Sequence, residues 1–120
     1  MIPQEPILVV DDDPAILETV TDILQDEGYA VATAKNGQEA LQEVERRRPS
    51  LVLLDMRMPV LDGWGFARLL AERGIRVPIV VMTAAQDARR WAQEIGAAGF
   101  VPKPFDLAEL LLAVERVRRT

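Results

Sequence analysis

Leu51-Val-Leu-Leu-Asp-Met-Arg-Met-Pro59 decides the fold. The unbroken apolar run Leu51–Leu54 reads as a strand buried on both faces. Asp55 closes that run, and the segment Met56–Pro59 keeps it from extending into a helix. A carboxylate at the C-terminal end of a buried strand faces the crevice where open α/β sheets bind ligands. Three further segments end in chemistry. Val9-Val10 runs into Asp11-Asp12-Asp13, Val80-Val81-Met82 runs into Thr83, and Phe100-Val101 leads to Lys103. Acids, a hydroxyl and an ammonium gathered at one sheet edge suit a metal-assisted acyl-phosphate site.

Outward from this segment, strand-like and helix-like stretches alternate five times. The expected strands are Ile7–Val10, Tyr29–Ala34, Leu51–Leu54, Pro78–Met82 and Gly99–Val101. Asp13 caps the first helix, with Pro14 at its first position, and its stripe is Ile16, Leu17, Val20, Ile23 and Leu24. Gly28 can end it. Asn36 and Glu39 have capping-box spacing ahead of Ala40, Leu41 and Val44. Asp62 is expected to cap a third helix carrying Phe66, Leu69 and Leu70. A short fourth helix turns Ala88, Trp91 and Ile95 to one side. Asp106 and Glu109 cap the last, whose stripe is Leu107, Leu110, Leu111, Val114 and Val117. Continuous apolar strands separated by such helices mean βαβ units and a parallel sheet covered on both faces. Right-handed crossovers then favour a doubly wound, flavodoxin-like (βα)5 sandwich with strand order 2-1-3-4-5. Strands lie about 4.8 Å apart, so Asp11, Asp12, Asp55 and Thr83 come within reach of one another, and Lys103 can reach in from one strand further out.

Composition narrows the function. At 120 residues, with 49% hydrophobic and 28% charged residues, the chain suits one globular domain. It has no cysteine and no histidine, which excludes disulfides, thiolate sites, imidazole bases and His-ligated zinc. The net charge of -5 argues against nucleic-acid binding by this domain. No run approaches the length of a membrane span, so the expected compartment is the cytoplasm. The only lysines are Lys35 and Lys103 in an arginine-rich chain, which marks Lys103 as a place where a compact point charge matters.

Three neighbouring carboxylates repel, each pair by about 1 kcal/mol in water at 4 Å and by more in a cleft. A hard divalent cation offsets this, and Mg²⁺ suits a site with few carboxylates and room for water and phosphate. The free carboxylate is then a nucleophile that forms an aspartyl phosphate, while Thr83 and Lys103 can each bind a phosphoryl oxygen.

Four motifs occur in order: Ile7-Leu-Val-Val-Asp-Asp-Asp-Pro14, Leu53-Leu-Asp-Met-Arg-Met-Pro59 with Asp62-Gly63, Val80-Val-Met-Thr-Ala84, and Gly99-Phe-Val-Pro-Lys-Pro-Phe105. With them the chain closely resembles the receiver domain of bacterial two-component response regulators. The resemblance implies that residues 1–120 form a single receiver domain with no output domain. It implies that Asp55 accepts a phosphoryl group from a sensor histidine kinase or a phosphotransfer protein. Asp11, Asp12, Asp55 and the Arg57 backbone carbonyl would hold Mg²⁺, Thr83 and Lys103 would bind the phosphoryl group, and the Lys103–Pro104 bond would be cis. Thr83 and Phe100 would form the switch, with phenylalanine where many members carry tyrosine. Phosphorylation would change the surface of the fourth helix, fifth strand and fifth helix, for a downstream partner, an output domain or a homodimer. In the family the residues two after the phosphoacceptor and two after the threonine tune lifetime, here Arg57 and Ala85. The chain would thus be no enzyme with its own metabolite substrate, although Mg²⁺-dependent autophosphorylation and autodephosphorylation belong to the implied chemistry.

Simpler roles stand beside these. Asp13 is expected to be a helix cap, Trp91 to pack in the core, and Trp64 to be partly exposed. Leu112 lies off its helix stripe, on the face implied for partners. Arg116, Arg118 and Arg119 are expected to complement the last helix terminus. Three alternative functions compete. A haloacid-dehalogenase-like phosphatase would use Asp11 as nucleophile beside Asp13, but Ala15 stands where its motif wants Thr or Val, and Asp55 is left unexplained. A flavodoxin needs Ser, Thr and Gly after its first strand, where this chain places three acids. A degenerate receiver that signals by binding alone would not need the full set of acids, threonine and lysine.

Overall fold

Alternate residues of the central strands face opposite layers, and that alternation organises the molecule. The computed structural model describes residues 5–118. Five strands, β1 (Ile7–Val10), β2 (Val31–Ala34), β3 (Leu51–Asp55), β4 (Ile79–Ala84) and β5 (Gly99–Lys103), alternate with five helices. These are α1 (Pro14–Asp26), α2 (Gly37–Arg46), α3 (Gly63–Glu72), α4 (Ala85–Ile95) and α5 (Leu107–Arg118). All strand pairs are parallel, in the order β2-β1-β3-β4-β5. The doubly wound sandwich expected from the sequence is the fold observed.

Ile7, Val9, Leu51, Leu53, Val80, Met82 and Val101 pack with Val20 and Leu24 of α1 and Leu110 and Val114 of α5. Leu8, Val10, Val52, Leu54 and Val81 pack with Leu41 and Val44 of α2, Phe66 and Leu70 of α3, and Trp91 and Ala92 of α4. Each face of the sheet thus owns a core, and the continuous apolar strands exist because both faces are covered.

The caps follow the sequence closely. Asp13, Asn36, Asp62 and Asp106 accept from the backbone N–H groups of Ala15, Glu39, Gly65 and Glu109. The Glu109 carboxylate returns the bond to the Asp106 N–H, which completes a capping box, whereas Glu39 accepts from Lys35 rather than from Asn36. Strand limits differ in instructive ways. Tyr29 lies before β2, and its ring carries the Arg118 guanidinium 5.0 Å from the centroid. Arg118 also donates to Ser50 Oγ, so it fastens the end of α5 to the sheet as well as complementing a helix terminus; Arg119 lies outside the described residues. β4 and β5 each run two residues further than their apolar runs, pairing Thr83 with Pro102 and Ala84 with Lys103. Pro102 is tolerated because β5 is an edge strand with only one neighbour to satisfy.

The loop after β3 is pinned at two glycines. The Gly63 N–H donates to the Met56 carbonyl, and the Gly37 N–H donates to the Leu61 carbonyl. A Cβ on Gly63 would lie 2.6 Å from Met56 Sδ and 2.8 Å from Met56 Cα, with backbone on one side that cannot swing away. Gly63→Ala is therefore expected to push Met56, and with it the neighbouring Asp55, out of place. We expect a loss of about 1–3 kcal/mol in stability, read as a lowered urea midpoint with an unchanged slope.

Candidate functional site

Parallel register carries the chemistry to one edge. Val10 pairs with Leu54, Asp55 with Met82, and Thr83 with Pro102, so the residues that end four strands stand side by side. One carboxylate oxygen from each of Asp11, Asp12 and Asp55 lies within 4.8 Å of the others. Asp11 is 1% exposed and Asp55 is 7% exposed, whereas Asp12 faces solvent. The Lys103 ammonium sits 2.7 Å from Asp11 and 3.8 Å from Asp55. Lys103 thus reaches across β4 to the acids, and its bond to Pro104 is cis, as the resemblance implied. Thr83 is buried at the adjoining strand end.

Burial, the strongest influence, pushes the Asp55 carboxyl up to about 6, and the Asp11 and Asp12 charges push the same way. Lys103 and a hydrogen bond from the Arg57 N–H act in the opposite direction without cancelling the rise. A carboxylate so crowded by like charges gains from a cation. The donors are all hard oxygens in a cluster that is partly open to solvent, a set that fits Mg²⁺ better than a soft metal.

The alternation of β3 and β1 sets Asp55 and Asp11 on the α1/α5 side, in phase with Leu53 and Val9. Thr83 and Phe100 share the opposite phase with Val81, toward α4. Phe100 turns outward at 37% exposure, and the Arg89 guanidinium covers its ring 5.7 Å from the centroid. Leu107 and Leu112 of α5 are also exposed. Asp13 serves as the α1 cap, as expected, which takes away the second acid of the phosphatase alternative. Trp91 is buried in the core as expected, but a further contact went unread. The Arg57 guanidinium lies over its ring at 5.2 Å. No local spacing in the sequence relates residues so far apart in the chain.

A doubly wound sheet with an acidic cluster, a threonine and a lysine at the C-terminal strand ends defines a class of phosphoryl-handling α/β domains. Comparison with known proteins narrows the class. The family model for the response regulator receiver domain matches residues 7–115, and the chain belongs to that family. The response regulator MprA of Mycobacterium leprae is 42% identical over 115 residues, which cover 94% of this chain and 50% of that protein. The chain thus spans about half the length of the curated relatives it matches. Among solved structures, the receiver domain of NtrX from Brucella abortus superposes with a TM-score of 0.87 at 34% identity, covering 95% of this chain and 98% of that one. The chemotaxis protein CheY4 of Vibrio cholerae gives 0.86 at 32% identity, covering 96% and 99%. The phosphatase, flavodoxin and degenerate-module alternatives find no support in these matches.

The raised Asp55 carboxyl has a thermodynamic consequence. Between the ordinary carboxylate value of 3.8 and about 6, the folded state binds more protons than the unfolded chain, so stability falls as pH rises through that window. Above pH 6 the folded protein carries the full cost of the ionised group. In EDTA, Asp55→Asn is expected to stabilise the protein by on the order of 1–3 kcal/mol at pH 7.5, with the gain shrinking toward pH 4. Urea unfolding at both pH values measures it; a variant less stable than the wild type at pH 7.5 contradicts the expectation.

Proposed function

We propose that this receiver domain is a phosphorylation-controlled signalling switch in which Asp55 is the phosphoacceptor. The observation that carries the reading is a buried carboxylate at the central strand end, crowded by Asp11 and Asp12 and faced by the Lys103 ammonium 3.8 Å away. The Asp55 oxygen attacks the phosphorus of a donor, the bond from phosphorus to the donor breaks, and an aspartyl phosphate forms. Asp11, Asp12 and Asp55, with the Arg57 backbone carbonyl, hold Mg²⁺. The ion supplies compensation for the negative charge that the acids and the phosphoryl group bring together. Lys103 accepts the new charge by turning from Asp11 toward a phosphoryl oxygen, and Thr83 binds another through its hydroxyl.

The natural donor is a sensor histidine kinase or a phosphotransfer protein, and the working compartment is the cytoplasm. As Thr83 moves toward the phosphoryl group, Phe100 turns inward from its exposed position, and the surface of α4, β5 and α5 changes for a downstream protein, an output domain or a second copy. Phenylalanine keeps this steric coupling while lacking a hydroxyl to hydrogen-bond once turned. Mg²⁺-dependent self-phosphorylation from small donors and self-dephosphorylation belong to the same site.

Intact mass after incubation with acetyl phosphate tests the reading. Wild type is expected to gain one phosphoryl group in Mg²⁺ and none in EDTA, and Asp55→Asn none in either. Below pH 6 the metal-free Asp55 is increasingly protonated, so uptake at limiting Mg²⁺ should fall there. Label that survives Asp55→Asn and disappears in Asp11→Asn would overturn the assignment of the nucleophile.

A further inference from the structure

Arg57 stands two residues after Asp55 and reaches α4 with its side chain. Its guanidinium lies 5.2 Å from the centroid of the Trp91 ring. That ring is held from several directions. Trp64 of α3 meets it at a centroid distance of 4.9 Å and an interplanar angle of 69°, and Trp64 Nε1 donates to Glu94 Oε1 at 2.9 Å. Arg90, itself paired with Asp87 at 2.7 Å, lies 5.9 Å from the same ring. The platform under Arg57 is therefore fixed, and a fixed aromatic face is what a guanidinium needs for a cation–π contact. Asp12, Arg57 and Trp64 line one open cavity beside the acids.

We propose that Trp91 is a positioning residue: its ring parks the Arg57 guanidinium at the rim of the site and thereby sets how fast the phosphoryl group is lost from Asp55. The inference rests on Asp55 being the phosphoacceptor. Loss is hydrolysis. The oxygen of a water molecule bonds to phosphorus and the bond from phosphorus to the Asp55 oxygen breaks. The carboxylate keeps the electron pair, and the water proton leaves with inorganic phosphate or to solvent. The water enters from the open side, where Arg57 stands. Parked on the ring, the guanidinium hinders that approach in part. Freed from the ring, it is drawn onto the phosphoryl oxygens, with which a planar fork of N–H donors pairs well, and hinders water further. Removed altogether, it hinders nothing. The two substitutions therefore act in opposite directions through one side chain.

The test is the rate of label loss after removal of acetyl phosphate, in Mg²⁺, for wild type, Trp91→Leu, Trp91→Phe, Arg57→Ala and the double variant Trp91→Leu/Arg57→Ala. Trp91→Leu should slow loss about two- to fivefold, the factor an exposed cation–π contact supplies. Trp91→Phe, which keeps an aromatic face, should stay nearer the wild type. Arg57→Ala should speed loss, and adding Trp91→Leu to it should change nothing further. A packing role for Trp91 would not disappear with Arg57, so an equal effect of Trp91→Leu in both backgrounds overturns the inference, as does no effect in either. In the unphosphorylated protein, the Arg57 Nε–H resonance should carry a ring-current shift that Trp91→Leu abolishes; its absence from the wild type overturns the parking itself. A wild type that takes no label overturns the phosphoacceptor reading and this inference together, whereas a labelled wild type indifferent to Trp91 overturns the inference alone.

Discussion

The mutual repulsion of carboxylates at one sheet edge is the constraint on which the rest of this structure depends. Parallel pairing of β1 with β3 brings Asp11 beside Asp55 whatever their charges prefer. In water, such a pair at 4 Å costs about 1 kcal/mol, and burial raises the cost. The fold answers with Lys103, which crosses from the edge strand to within 2.7 Å of Asp11. One ammonium offsets part of the charge of three acids. The remainder shows in Asp55, whose carboxyl stays high despite its basic neighbour. A site left so short of positive charge is ready for a cation, and stability is given up to keep it so.

The sheet divides the labour between its two faces. The acids continue the phase of Val9 and Leu53, toward α1 and α5. Thr83 and Phe100 continue the phase of Val81, toward α4. The acidic cluster and the face that carries Thr83 and Phe100 are thus separated by one layer of backbone. Arg57 links the two, since it leaves the acidic edge along the loop after β3 and reaches α4 by way of Trp91.

Much of this was legible in the sequence, for reasons that can be named. The strands were visible because a sheet covered on both faces needs unbroken apolar runs. The helices were visible because Asp13, Asn36, Asp62 and Asp106 stand where a cap must stand. That Asp11, Asp12, Asp55, Thr83 and Lys103 lie together was legible because a strand end is a one-dimensional landmark that topology converts into a place. Strand limits were less legible. Ladder pairing carried β4 and β5 past their apolar residues, and Tyr29 was drawn out of β2 to become a platform for Arg118. Contacts between side chains distant in the chain left no pattern to read. Arg57 on Trp91, and Trp64 joined to Glu94, follow from how two helices and a loop pack, which no spacing rule encodes.

The junction of β4 and α4 has a mechanical meaning. Ala84 is the last residue of the strand and also stands at the helix N-cap, where no side chain satisfies the first turn. Most crossovers put a few residues of loop between two such elements, and a loop takes up slack. Here there is none. A displacement of Thr83 would therefore meet no slack before Ala85, as a pull on a taut cord reaches the next knot. The first part of α4 to receive it would be the turn that no side chain caps, the least tethered end of that helix.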